Sequence, residues 1–171
     1  MTARALLVSL FLSLPLAAAA KGPSAKATLK NADGKDVGTA TLTPAKGGVK
    51  VQVQAANLPP GKHGIHIHAA GKCDPPAFTT AGGHFNPGGK KHGLKSPEGA
   101  HAGDLPNLQV GKNGKGKATF TAKGATLGDG EGSLFGPEGT ALVVHADPDD
   151  EKTDPSGNSG ARIACGPIEK R

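Results

Sequence analysis

Three of the chain's seven histidines fall within the six residues 63–68, in the stretch HGIHIHAAGKC. Neutral imidazole is the commonest side-chain metal ligand. If this stretch is a strand, His66 and His68 project to one face about 7 Å apart along the backbone, while Ile65 and Ile67 face the other way. Two such rings can converge on one metal ion. His63 has the opposite parity and reads as a supporting residue hydrogen-bonded to backbone. A second group lies in GGHFNPGGKKHGLKSPEGAHAGDLPN, residues 82–107, which carries His84, His92, His101 and Asp104. Three His and one Asp suit a closed tetrahedral zinc site. Metal binding there would also order a loop of little apolar content. His145 ends the run ALVVH and is a candidate partner for His66 and His68. Histidine sets without a soft ligand fit Cu(II) in a tetragonal nitrogen field, and by ligand type alone also zinc or nickel.

These side chains need a rigid frame. Residues 47–55, GGVKVQVQA, alternate with period two, and shorter runs do the same at 26–30, 38–43, 117–122 and 141–145. Turn signals separate them at 31–34 (NADG), 57–61 (NLPPG) and 112–116 (KNGKG). Short alternating strands with such punctuation predict an antiparallel sandwich or barrel. No stretch keeps a helical apolar period over three turns. Two long intervals lack alternation, from about Ala70 to Asp104 and from about Ala146 to Ala161. Loops this long in a compact domain are usually functional or disordered.

Residues 1–20 have an early Arg, an apolar run and a small-residue end, which reads as a cleavable secretory signal peptide. The apolar run is shorter than the ~20 residues that span a bilayer, so no membrane span is expected. Residues 21–171 are long enough for one domain. Without residues 1–20 the chain has 19 basic and 14 acidic residues, a net charge of +5. This favours anionic partners at long range. Nucleic acid is disfavoured, because the lysines are scattered and stacking aromatics are nearly absent. Only two cysteines exist, Cys73 and Cys165, and in an exported chain they are expected to form one disulfide.

The ordered motifs GIHIHAAGKC, GGHFNP, KHG, AHAGDLPN, ALVVHADPDD and GARIACG resemble those of the copper/zinc superoxide dismutases. The resemblance is colinear over about residues 25–168 and is closest to the exported bacterial branch. It implies an all-β fold, an eight-stranded antiparallel Greek-key β-barrel or sandwich with two long functional loops. It implies copper bound by His66, His68, His84 and His145, and zinc bound by His84, His92, His101 and Asp104, with His84 bridging the two. It implies Arg162 beside the copper as the group that attracts the anionic substrate, superoxide. Asp149 matches the carboxylate that hydrogen-bonds a ligand of each metal, with Asp147 and Asp150 close by as alternatives. The implied reaction is disproportionation of superoxide to dioxygen and hydrogen peroxide in the periplasm or outside the cell. A homodimer is compatible with the family.

One departure concerns the interval between His145 and Arg162. It has only sixteen residues, ADPDDEKTDPSGNSGA, with five acids and one Lys, Lys152. Such a loop would oppose steering of an anion unless its acids point away or the +5 background compensates, with Lys152 the only local helper besides Arg162. Two other functions compete with the enzyme: a metal buffer or chaperone without turnover, and a zinc hydrolase. Retention of every copper position and of Arg162 argues against the first. The second needs an open zinc position, and the inferred zinc set already has four protein ligands.

Overall fold

The computed structural model describes residues 22–171, so the expected signal peptide lies outside the described residues. Ten strands follow one another: β1 (Ala25–Lys30), β2 (Asp36–Ala45), β3 (Gly48–Ala55), β4 (Gly61–His63), β5 (Ile65–His68), β6 (Leu108–Val110), β7 (Gly116–Lys123), β8 (Ala141–His145), β9 (Arg162–Pro167) and β10 (Glu169–Lys170). One turn of 3-10 helix, Thr79–Ala81, is the sole helical element among the described residues. No helix among them is long and apolar enough to cross a membrane.

The pairing is antiparallel throughout the named strands, in the order β5-β8-β9-β1-β2-β3-β7, with β10 added beside β1. A second small sheet pairs β4 with β6. Its members join the two ends of the main path. β4 continues into β5 across Gly64, and β6 turns into β7 through a hairpin in which Gly114 N donates to Gly111 O. The expected eight strands thus become ten segments, because Gly64 interrupts one strand and a short tail adds another. The links from β3 to β4 and from β7 to β8 cross over, as a Greek-key fold requires.

Period-two patterning accounts for the frame. In β3, Val49, Val51 and Val53 are buried while Gln52 and Gln54 are exposed. Leu29, Leu42, Ile65, Ile67, Leu142 and Val144 complete the same core. Each such aliphatic side chain contributes about 1.5–3 kcal/mol on full burial. β5 and β8 differ in being buried on both faces. One face of each meets this core. On the other, Ala141 and Val143 pack with Phe78, Ala81 and the disulfide under the first long loop. The buried histidines occupy the same outer side, so the strands that carry them are clamped between barrel and loops.

Candidate metal centre

Backbone pairing brings the histidines together. On one edge of β5, His66 pairs with Val143 and His68 with Ala141. The other edge pairs with the first long loop, His66 opposite Asp104 and His68 opposite His84. Ile67 N donates to Gly103 O at 2.9 Å, and Phe85 N donates to Ile67 O at 2.8 Å. A register irregularity between Val144 and His145 sets His145 opposite Arg162. The hydrogen bonds of a sheet edge therefore deliver side chains from distant stretches of sequence to one place.

Among the described residues two donor groups of four result. His66, His68, His84 and His145 form one, and His84, His92, His101 and Asp104 form the other; within each, the donor atoms lie within 4.8 Å of one another. In the first group each of three rings is fixed through one nitrogen by a protein oxygen. His66 Nε2 donates to Asp149 Oδ2 at 2.7 Å, His68 Nδ1 to Gly82 O at 2.9 Å, and His145 Nδ1 to Gly160 O at 3.2 Å. Those bonds set the tautomer and leave a lone pair on the other nitrogen. His68 Nε2 and His145 Nε2 stand 3.4 Å apart. His66 Nδ1 and His84 Nε2 are buried with no hydrogen-bond partner. Buried polar atoms are rarely left so, and a metal ion would satisfy both.

In the second group His84 Nδ1 lies 2.9 Å, His92 Nδ1 3.1 Å and His101 Nδ1 3.3 Å from Asp104 Oδ1. His101 Nδ1 is 3.3 Å from His84 Nδ1. A tetrahedron with arms of about 2.0–2.1 Å has edges of about 3.3–3.4 Å, so these donors are spaced for zinc. The other carboxylate oxygen, Asp104 Oδ2, accepts from Gly93 N at 2.9 Å and His101 N at 3.0 Å. Asp149 joins the groups: beside its bond from His66, its Oδ1 accepts from His92 Nε2 at 3.0 Å. Asn107 fixes Asp149 in turn, accepting from Asp149 N at 2.7 Å and donating to Asp149 O at 2.9 Å. Asp150 instead caps its own turn, accepting from Thr153 and Asn158. His63 lies outside both groups. Its Nδ1 is 2.8 Å from His145 O and its Nε2 2.8 Å from Pro59 O, so it ties the end of β8 to the turn before β4.

Arg162 is held by carbonyls of the first long loop, Nη1 donating to Phe78 O at 2.7 Å and Nη2 to Gly82 O at 2.6 Å. Cys73 and Cys165 are joined, with Cα atoms 5.6 Å apart across 92 positions of sequence. The bridge ties that loop to β9, which begins with Arg162 itself. The carboxylates of residues 146–161 are largely occupied. Asp149 and Asp150 are engaged as above, Glu151 pairs with Lys95 at 2.7 Å, and Asp154 accepts from His92 N at 2.7 Å. Lys95 and Lys91 offset the charges of Glu151 and Asp154, while the hydrogen-bonded Asp150 carboxylate stays an exposed anion.

Burial governs the protonation of the rings. Burial, reinforced by His84, Arg162 and His145, pushes His68 down to about 2. Burial and His66 push His145 down to about 3. Burial brings His84 down to about 4, against the pull of Asp104. At neutral pH all three are neutral and able to ligate. His92 goes the other way: burial lowers it, but Asp104 and Asp149 outweigh burial and raise it to about 9. Burial also opposes ionisation of Asp104 and Asp149, yet bonds from their histidines and from backbone N–H groups hold both well below the usual carboxylate range.

A stability profile follows for the metal-free protein. Unfolded histidines take up protons below about pH 6.5. Folded His84, His145 and His68 do so only below about 4, 3 and 2. The unfolded state therefore binds more protons in that window, and stability falls as pH drops from 6.5. His92 contributes stability below 6.5 that is lost as pH rises through about 9. Urea midpoints of chelator-treated protein are expected to peak at about pH 6–7 and decline on both sides. A flat profile would contradict the burial of neutral rings.

Residues 37–168 match the family described as copper/zinc superoxide dismutase. The chain belongs to that family. A superoxide dismutase [Cu-Zn] of Aquifex aeolicus is 48% identical over 145 residues, covering 84% of this chain and 86% of its own length. The superoxide dismutase [Cu-Zn] of Caulobacter vibrioides is 40% identical over 149 residues, covering 85% of this chain and 86% of its own. Among solved structures, a SOD-like protein from Bacillus subtilis aligns with a TM-score of 0.80 and 41% identity, over 83% of this chain and 96% of that one. The Cu/Zn superoxide dismutase from Brucella abortus aligns with a TM-score of 0.70 and 33% identity, over 85% and 99%.

Sequence reasoning had no role for Asn107, Asp154 or the carbonyls of Phe78, Gly82 and Gly160. Backbone oxygens carry no residue-type signal, and Asp154 is one acid among several in a turn-rich stretch.

Proposed function

We propose that the two donor groups hold copper and zinc, and that the chain disproportionates superoxide, the activity of the family to which it belongs. The reaction converts two superoxide anions and two protons into dioxygen and hydrogen peroxide. The observation that carries this reading is the membership of His84 in both groups, with Nδ1 among the zinc-spaced donors and Nε2 buried without a partner. Copper would be held by His66 Nδ1 and by Nε2 of His68, His84 and His145, and would supply reversible one-electron chemistry; redox-inert zinc would be held by His84, His92, His101 and Asp104.

The chain's residues do the rest. Arg162 keeps its positive charge at every working pH, and its two carbonyl anchors fix where that charge stands. It binds the incoming anion and orients it beside His68 and His145. His84 Nδ1 would stay with zinc while its Nε2 alternates between ligating copper and carrying a solvent-derived proton that it gives to the peroxide product. Asp149 keeps the rings of His66 and His92 in fixed relative orientation. Export of the chain behind residues 1–20 fits the Cys73–Cys165 bridge, since disulfides persist in oxidising compartments.

The test is superoxide consumption by mature protein loaded with copper and zinc. The expected result is a copper-dependent rate that slows with rising salt. Arg162→Ala should lower the rate by about tenfold or more and flatten its salt dependence, with both metals retained by elemental analysis. An unchanged salt-dependent rate in that variant overturns the role of Arg162. No consumption at full metal loading overturns the enzyme reading.

A further inference from the structure

We propose that Asp154 is a positioning residue for the zinc-side donors, holding His92 by its backbone and standing against His101 from outside. The inference rests on the metal assignment above. Asp154 Oδ1 accepts from His92 N at 2.7 Å. The same oxygen is 3.9 Å from His101 Nε2. Oδ2 is 3.5 Å from Lys91 Nζ. One carboxylate thus reaches two of the three histidines that offer Nδ1 to this group, bonding His92 at its backbone and standing 3.9 Å from the His101 ring.

The effect on His92 is specific. Asp149 already grips the ring through Nε2. Asp154 grips the backbone five residues later in the same loop. With both ends fixed, the direction of Cα–Cβ and the ring rotation are set together, and so is the aim of Nδ1. The surrounding stretch, KKHGLKSPEG, has Leu94 as its only large apolar side chain, and Leu94 is exposed. Polar contacts must therefore set its conformation. Lys95 N donates to Glu151 O at 3.1 Å, and the missing Cβ of Gly93 would collide with the Glu151 backbone. Asp154 completes this seam at the ligand itself. Its side chain is 43% exposed, so its attraction to Lys91 contributes little. The charge-assisted bond to the His92 N–H is the stronger interaction.

The experiment compares the mature parent with Asp154→Ala, Asp154→Asn and Lys91→Ala. The probes are Zn²⁺ alone against a competing chelator, and Co²⁺, whose visible absorption reports the geometry of the zinc-side donors. Asp154→Ala should bind Zn²⁺ about 10–100-fold more weakly and shift the Co²⁺ bands. Its His92 amide should exchange hydrogen faster, with exchange in the strands unchanged. Asp154→Asn keeps an acceptor oxygen and should stay within about threefold of the parent. Lys91→Ala should match the parent. Parent-like Zn²⁺ affinity in Asp154→Ala overturns the inference alone, as does an equal loss in Asp154→Asn, which would mark a charge effect. A parent that binds no Zn²⁺ overturns the metal assignment and this inference with it.

Discussion

Replacing His84 by Ala is expected to abolish superoxide consumption and to weaken zinc as well as copper binding. His84 is the one residue that belongs to both donor groups. Truncation removes Nδ1 from a set spaced at 2.9–3.3 Å and Nε2 from the facing histidines. It also removes a ring whose centroid lies 4.0 Å from that of His66. Loss of a partner outside the ligand set costs about 10–100-fold in metal affinity, so loss of a shared ligand should exceed about 100-fold in zinc affinity. His145→Ala is the informative contrast, because His145 belongs to the first group alone. It should lose activity and copper while keeping zinc. Chelator titrations of both metals on the two variants check this. Parent-like zinc affinity in His84→Ala would end the shared-ligand reading.

The second large effect is expected from Cys73→Ser paired with Cys165→Ser. The bridge closes a loop of 92 positions. Chain-entropy reasoning gives roughly 4–5 kcal/mol for a loop of that length, and removal of native bridges typically costs about 2–5 kcal/mol. For a domain of this size that lowers Tm by roughly 5–15 °C. Activity should fall as well, at temperatures where the variant stays folded. The loop anchored by Cys73 supplies Phe78 O and Gly82 O, which hold Arg162, and Gly82 O also fixes His68. Thermal melts with parallel rate measurements test both effects. An unchanged Tm would show that the loop is held by its other contacts alone.

The frame was legible where side chains alternate. β1, β2, β3 and β7 overlie runs seen in sequence, because each has one face on the core and one in water, while β8 overlies the run at 141–145 although both its faces are buried. β9 was not legible as a strand. RIACGP is interrupted by Gly and Pro, and it is covered on both sides, Ala164 lying in the main core and Cys165 in the cluster beneath the first long loop. β6 has three residues, too few for a period. The donor types and spacings were legible, and strand parity put His66 and His68 on one side, where the structure gathers them into one donor group. Which nitrogen of each ring is free was not, since that depends on carbonyls of Gly82 and Gly160 brought in by tertiary folding. The choice among Asp147, Asp149 and Asp150 likewise needed the loop's path, which carries Asp149 between His66 and His92.

Two glycines show how closely that loop is seated. Gly157, at φ 64°, has no room for a side chain: an added Cβ would collide with Asp149 and come within 2.8 Å of His92 Nε2. Gly64 would meet Ser159 Cβ at 2.8 Å. At these two points the backbone lies directly against its neighbours, with no room for a side chain. Through Asp149 at His66 and His92, and through Gly160 O at His145, residues 146–161 bear on both donor groups at once. The two groups thus share one set of supports, and a substitution that unseats this stretch is expected to disturb both together.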